Sequence, residues 1–174
     1  DPFKTVYAEG ACAFILETME SAQKRNAEVF GSILSFASYE EPGDFCGANL
    51  GSEGFEIAVN DALAEAKTAD SEIDLLVWSP RGDAQDEKIL NVWRRRFPSA
   101  GIVTNVFNTG YIESASTISA LAEVLFCLKK GIPIWRQKTG IAEIDNFPLP
   151  KSPKKILCAA SSHVGNNFAA VFAV

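Results

Sequence analysis

The sequence is poor in the residues that most often do chemistry. Its 174 residues include one histidine, His163, and four cysteines. A site built from several histidines is therefore excluded. The cysteines, Cys12, Cys46, Cys127 and Cys158, show no CxxC spacing, so neither a zinc ribbon nor a thioredoxin-type pair is encoded. Cys12, Cys127 and Cys158 lie in apolar stretches and read as buried thiols of a reducing compartment, which points to the cytoplasm. Cys46 stands alone in a polar, glycine-rich loop and is the one thiol in a reactive setting. No apolar run approaches the roughly 18 residues that would span a membrane. Basic residues cluster only at Arg94, Arg95 and Arg96 and over 151–155, and the net charge is −6. A nucleic-acid surface needs a broader basic face than that. The chain opens on Asp1 without a signal-like segment, as expected of a fragment or a processed chain.

What remains is an ordinary globular composition, 47% hydrophobic and 22% charged, with length enough for one domain over 1–174. VYAEGACAFILE, residues 6–17, reads as a strand with a close backbone approach at Gly10. A short helix or turn follows over 18–26. EVFGSILSFASY, 28–39, reads as a strand paired with the first. After a polar loop, Phe55, Ala58, Val59, Ala62, Leu63 and Ala66 keep the spacing of one helical face, with Ser52 as N-cap. A strand is expected over 73–78, a helix over 84–96, a strand over 101–107 and a largely apolar helix over 114–131. Lys129, Lys130 and Gly131 suit the end of that last helix. Two strands close the chain around a turn at 163–167. The order β-β-α-β-α-β-α-β-β predicts a layered α/β domain with a mixed five-stranded sheet and packed helices.

In this order the segments resemble the C-terminal half of a β-ketoacyl synthase, a condensing enzyme of the thiolase fold. YAEGACAFILE resembles that family's Gly-Glu-Gly-Ala strand, with Ala8-Glu9-Gly10-Ala11 in register. IDLLVWS resembles the strand that opens its first histidine loop. NTGYIESASTISALAEVLFCLKKG resembles its Thr-Gly-His helix. SSHVGNN resembles its closing glycine-rich turn. The resemblance implies 3-oxoacyl carrier-protein synthase (acyltransferase) chemistry in fatty acid or polyketide biosynthesis. It places a cysteine nucleophile in an N-terminal half and two histidines in this half.

The departures fall on that chemistry. The first histidine position is Ser79 and the second is Tyr111. The family's lysine falls at Val106, its glutamate at Ala120 and its pocket phenylalanine at His163. Two imidazole donors stabilise the enolate formed on decarboxylation. A serine, a phenol and a valine are poor replacements, because none manages a proton near neutrality. No catalytic residue is therefore expected at these degenerate positions, and no metal or cofactor. His163, Gly165, Asn166 and Asn167 remain as substrate-pocket candidates. Asp83 and Asp86 suit the cap of the helix that follows them. Arg94, Arg95 and Arg96 read as a solvated helix end, with docking of an acidic carrier protein as the second reading. The resemblance implies a chain-length-factor-like subunit that pairs with an active ketosynthase. The alternative is a condensing enzyme whose nucleophile comes from a missing N-terminal half. Partners implied are that ketosynthase or half, an acyl carrier protein, and a second copy in a dimer.

Overall fold

The structure is a computed structural model that describes residues 6–41, 52–162 and 164–174. Cys46 and His163 lie outside the described residues. In chain order the elements are α1 (Met19–Lys24), β1 (Ser32–Glu40), α2 (Glu53–Glu65), β2 (Leu75–Val77), α3 (Ala84–Arg96), β3 (Gly101–Val103), α4 (Val106–Thr109), α5 (Ser116–Lys130), α6 (Ala142–Asp145), β4 (Lys155–Ser161) and β5 (Asn166–Ala173). The five strands form one mixed sheet in the order β1-β5-β4-β2-β3. β2 runs parallel to β3 and β4, and β5 runs antiparallel to both β4 and β1.

The central strands are short apolar runs, and every residue of β2 and β3 is buried. That is the signature of parallel strands covered on both faces. On one face Leu76, Trp78, Ile102, Leu157 and Val171 pack with Phe55 of α2 and Trp93 of α3. On the other, Val77, Val103, Ile156 and Cys158 pack with Ala120, Leu121 and Val124 of α5. The result is an α/β/α sandwich. The first face is anchored by aromatics. Phe55 meets Trp93 edge-on at 5.0 Å between ring centroids, and Trp93 meets Phe97 at 5.5 Å. No helix among the described residues is long and apolar enough to cross a membrane.

Several sequence expectations need correction. Residues 6–17 do not form a sheet strand. Tyr7 makes only an isolated bridge to Tyr111, and Val6, Ile15 and Leu16 stay exposed. The strand over 28–39 begins at Ser32 and pairs with β5, matching Ser32 to Ala173 and Glu40 to Asn166. An apolar alternation says that a segment wants a sheet, not which strand it will meet. β1 instead pairs antiparallel with β5, and the sheet has five strands. The strand over 101–107 ends at Val103. Asn105 turns the chain there, its carbonyl accepting from the N–H groups of Asn108 and Thr109 at 2.9 Å each. The long helix starts at Ser116 rather than 114, because a 3-10 turn over Glu113–Ala115 precedes it. The 131–153 connection, expected to be irregular, contains α6.

Capping follows the sequence in one helix and not in another. Asp83 and Asp86 form a reciprocal capping box on α3. Ser52 makes no side-chain cap on α2, since its φ of −99° and ψ of 0° aim the hydroxyl away from the first turn. Its Oγ reaches Glu56 at 3.3 Å instead, and the Gly54 N–H is taken by Glu41 Oε1 at 2.9 Å. At the far end of α5, Gly131 adopts φ 65°, the left-handed C′ geometry its position suggested.

The aromatic trio makes the first test. Truncating Trp93, which is fully buried, removes a large side chain from between Phe55 and Phe97. Trp93→Ala is expected to lower the unfolding free energy by about 3–5 kcal/mol in urea titration. A loss below 1 kcal/mol would show that the α3 face of the core is not packed as described.

Candidate functional site

The carboxyl ends of β2 and β3 deliver Ser79 and Asn105 to one corner. Their parallel register matches Val77 with Val103, so the residues two positions on stand side by side. Val77 and Val103 face α5, and the period-2 alternation carries Ser79 and Asn105 toward the same helix. Asn105 confirms this by donating from Nδ2 to Ser119 Oγ of α5 at 3.0 Å. Ser79 and Asn105 are each 5% exposed. The Ser79 hydroxyl and the Asn105 Oδ1 are buried with no hydrogen-bond partner among the described residues, an arrangement that ordinary cores avoid. The sequence reading missed Asn105, although its place just after an apolar strand was the available signal.

The loop after Ser79 is tied down by Arg81. Its guanidinium pairs with Asp83 at 2.6 Å, donates to Gln85 Oε1 and reaches the Ser161 carbonyl at 3.2 Å. The loop is thereby fastened to the end of β4. Asp86, 1% exposed, accepts from the N–H groups of Gly82 at 2.6 Å and Asp83 at 3.2 Å. Burial pushes its carboxyl up to about 6, against the pull of those backbone donors.

Tyr111 enters the corner from the other side. Its backbone pairs with residues 6–8, donating to the Val6 carbonyl at 2.8 Å and accepting from the Ala8 N–H at 3.0 Å. The preceding Gly110 has φ 78°, and a Cβ there would lie 2.7 Å from Ala8 Cβ and 2.8 Å from the Val6 carbonyl oxygen. Only glycine fits both demands. The Tyr111 ring is 8% exposed and meets Tyr7 edge-on at 5.8 Å. Burial pushes its phenol up to about 12, partly offset by the positive charge of Arg81. Tyr111 therefore stays a neutral hydrogen-bond donor across the physiological range. Val106, 5% exposed, starts the turn before it, and Ala120, fully buried, packs beneath the corner on α5.

The closing turn is a separate contribution. Asn167 is fully buried, and its Nδ2 donates to the Gly165 carbonyl at 3.0 Å. The Asn166 N–H donates to Ser162 Oγ at 3.1 Å, and Gly165 takes φ 89°. The Asn167 amide therefore serves the turn, while its Oδ1 has no hydrogen-bond partner among the described residues. Of the four substrate-pocket candidates, Gly165, Asn166 and Asn167 sit together here, and His163 falls outside the described residues.

The two buried thiols are poor nucleophiles. Burial pushes Cys158 up to about 12 and raises Cys127. Cys12, half-buried, points its Sγ at the Ile118 carbonyl 3.9 Å away. Among the described residues no three His, Cys, Asp or Glu side chains gather as a metal site. The arginine run is not a solvated helix end throughout. Arg96 makes a bidentate pair with Asp70 at 2.9 Å, Arg95 pairs with Glu56 at 2.5 Å, and Arg94 lies over the Phe147 ring at 3.5 Å. Residues 137–147 fold back over α3, which the helix pattern by itself did not show. A pocket of about 350 Å³ borders the corner beside Val106, Thr109 and Gly110. A wider apolar groove of about 970 Å³ lies elsewhere, between Leu16, Met19, Ile33 and Phe126.

Asp86 makes a pH prediction. Its folded-state carboxyl titrates near 6, above the unfolded value of about 3.9. Its contribution to stability is therefore complete below about pH 4 and lost as pH rises through about 6. Relative to Asp86→Asn, the wild-type chain is expected to lose about 2 kcal/mol of unfolding free energy between pH 4 and pH 7. Urea titration of both proteins across that range checks the sign.

No protein-family model matches the sequence, and no curated protein matches it. Solved structures do. The PfaC ketosynthase–chain length factor superposes with a TM-score of 0.70 at 16% identity, covering 88% of this chain and 18% of that one. A type II polyketide ketosynthase, in a structure with its acyl-carrier protein and a bound hexaketide, gives 0.70 at 17% identity over 91% and 42%. A β-ketoacyl synthase from Burkholderia phymatum gives 0.71 at 16% identity over 90% and 40%. The chain spans less than half the length of each of these solved chains. It has the thiolase-like α/β fold of a ketosynthase half.

Proposed function

We propose that this chain is a non-catalytic, ketosynthase-like subunit that works beside an active ketosynthase, in the manner of a chain length factor. The observation that carries the reading is the corner at Ser79 and Tyr111. The histidine positions of the resembled family hold a buried serine hydroxyl and a phenol that stays protonated up to about pH 12. The lysine and glutamate positions hold Val106 and Ala120, both buried. The corner still offers a wall of defined shape, closed by Arg81 and floored by α5, but no described group that exchanges protons near neutrality apart from the structural Asp86. A solved neighbour is itself a ketosynthase–chain length factor, and a second was solved with an acyl-carrier protein. Those likenesses support the reading. An acidic carrier is a natural third member of the assembly, with Arg95 the most exposed guanidinium of its run.

The test is to co-express the chain with a candidate ketosynthase and its carrier protein. Co-purification is expected, with product chain length changing when the subunit is omitted. By itself the chain is expected to release no carbon dioxide from malonyl thioesters and to take up no acyl adduct by intact mass. An adduct on one of its cysteines, or condensation by the chain without a partner, would overturn the proposal. Restoring imidazoles with Ser79→His and Tyr111→His is expected to leave it inactive, since Val106 and Ala120 supply neither charge nor proton.

A further inference from the structure

We infer that Arg94 and Arg136 form an oxyanion site, one that takes a free phosphate ion between the end of α3 and the segment 136–147 folded over it. Both guanidinium groups converge on Phe147. Arg94 lies over its ring, 3.5 Å from the centroid, and Arg136 donates from Nη2 to its carbonyl at 3.1 Å. Arg136 also donates to the carbonyls of Ile102 at 2.6 Å and Asp145 at 3.3 Å.

Arg94 is the anomaly of the pair. Its stem is part-exposed, but Nε, Nη1 and Nη2 are all buried with no hydrogen-bond partner among the described residues. The in-plane N–H donors of a guanidinium are thus unused. The Phe147 ring offsets part of that cost through its π face, which leaves the in-plane donors unanswered. The next two arginines of the run are provided for, Arg95 by Glu56 and Arg96 by Asp70. Among the described residues neither Arg94 nor Arg136 has a carboxylate within ion-pair distance. Asp145 spends Oδ1 on the Thr139 N–H and hydroxyl and Oδ2 on the Gly140 N–H, each at 2.9 Å. Glu143 is exposed. Burial pulls the Arg94 guanidinium down to about 10, and the positive charge of Arg136 pulls the same way, so the group is still charged at neutrality. A buried charge without a counter-charge is strongly unfavourable. An oxyanion meets both needs. It accepts from the planar fork and neutralises two like charges.

Enclosure selects a small, free ion. Phe147 covers the face of the guanidinium and its nitrogens are out of reach of solvent. Entry therefore needs a local opening of 136–147. A protein carboxylate or an esterified phosphate would have to hold that segment open. The cluster also lies away from the corner at Ser79. α3 starts at Ala84 beside that corner, and Arg94 follows about 15 Å along its axis. The site does not depend on the function proposed above.

Phosphorus-31 NMR of inorganic phosphate titrated with the chain at fixed ionic strength tests it. Saturable line broadening is expected, with a dissociation constant of about 1 mM or below. Arg94→Met keeps an apolar stem and removes the charge. It is expected to weaken binding by about 10-fold or more, and to raise the urea midpoint in phosphate-free buffer, because it deletes a buried unpaired cation. Arg94→Lys keeps the charge but loses the fork, and is expected to fall between the two. Arg95→Met, at an exposed guanidinium, is expected to leave binding unchanged. Phenyl phosphate, the same group on a bulky ester, is expected to bind about 10-fold more weakly or worse. Absence of saturable binding, or equal binding by Arg94→Met and wild type, would overturn the inference. Equal affinity for phenyl phosphate would overturn the enclosed free ion.

Discussion

Asp74 sets the register of the central sheet, and the placement of Ser79 and Asn105 at its carboxyl edge follows. Its N–H donates to the Lys155 carbonyl at 3.1 Å, and its carbonyl accepts from the Gly101 N–H at 3.2 Å. Its Oδ2 accepts from the N–H groups of Lys154 at 2.7 Å and Lys155 at 3.1 Å. One residue thus aligns β2 with β4 on one side and β3 on the other. The alignment matters because a slip of one residue would exchange the two faces of β2. Leu76 and Trp78 would then turn toward α5, and Ser79 would leave the corner it shares with Asn105.

Away from the corner several polar side chains are absorbed, Ser35 by α2, Arg136 by the carbonyls of Ile102, Asp145 and Phe147, and Asp86 by its own loop, while Trp93 Nε1 and the Arg94 guanidinium have no hydrogen-bond partner among the described residues. At the sheet edge the hydroxyl of Ser79 and the oxygens of Asn105 and Asn167 are left over. An apolar residue at Ser79 would avoid that cost. The corner therefore keeps the polar character of a site.

Much of the architecture was legible in the chain. The helices over 53–65 and 84–96 followed from the spacing of Phe55, Ala58, Val59, Ala62 and Leu63 and from Ile89, Val92 and Trp93, since a 3.6-residue period is a local property. The Asp83–Asp86 cap and the Gly131 stop were legible for the same reason. The edge of the sheet was not. Residues 6–17 carry as convincing an apolar run as 28–39, yet only the second joins the sheet, beside β5. Asn105 was missed because nothing local distinguishes it from a loop asparagine. Its significance comes from lying beside Ser79 across a parallel ladder.

The sequence alone thus determined the main helices and the apolar faces, since each is carried by a residue's own chemistry or by neighbours a turn away. Only the tertiary structure decided which strand lies at the edge, which side of β2 meets α5, and that Arg81, Asp86 and Tyr111 share one electrostatic corner. Those outcomes join residues far apart in the chain, where pairing register and burial, not propensity, choose between alternatives.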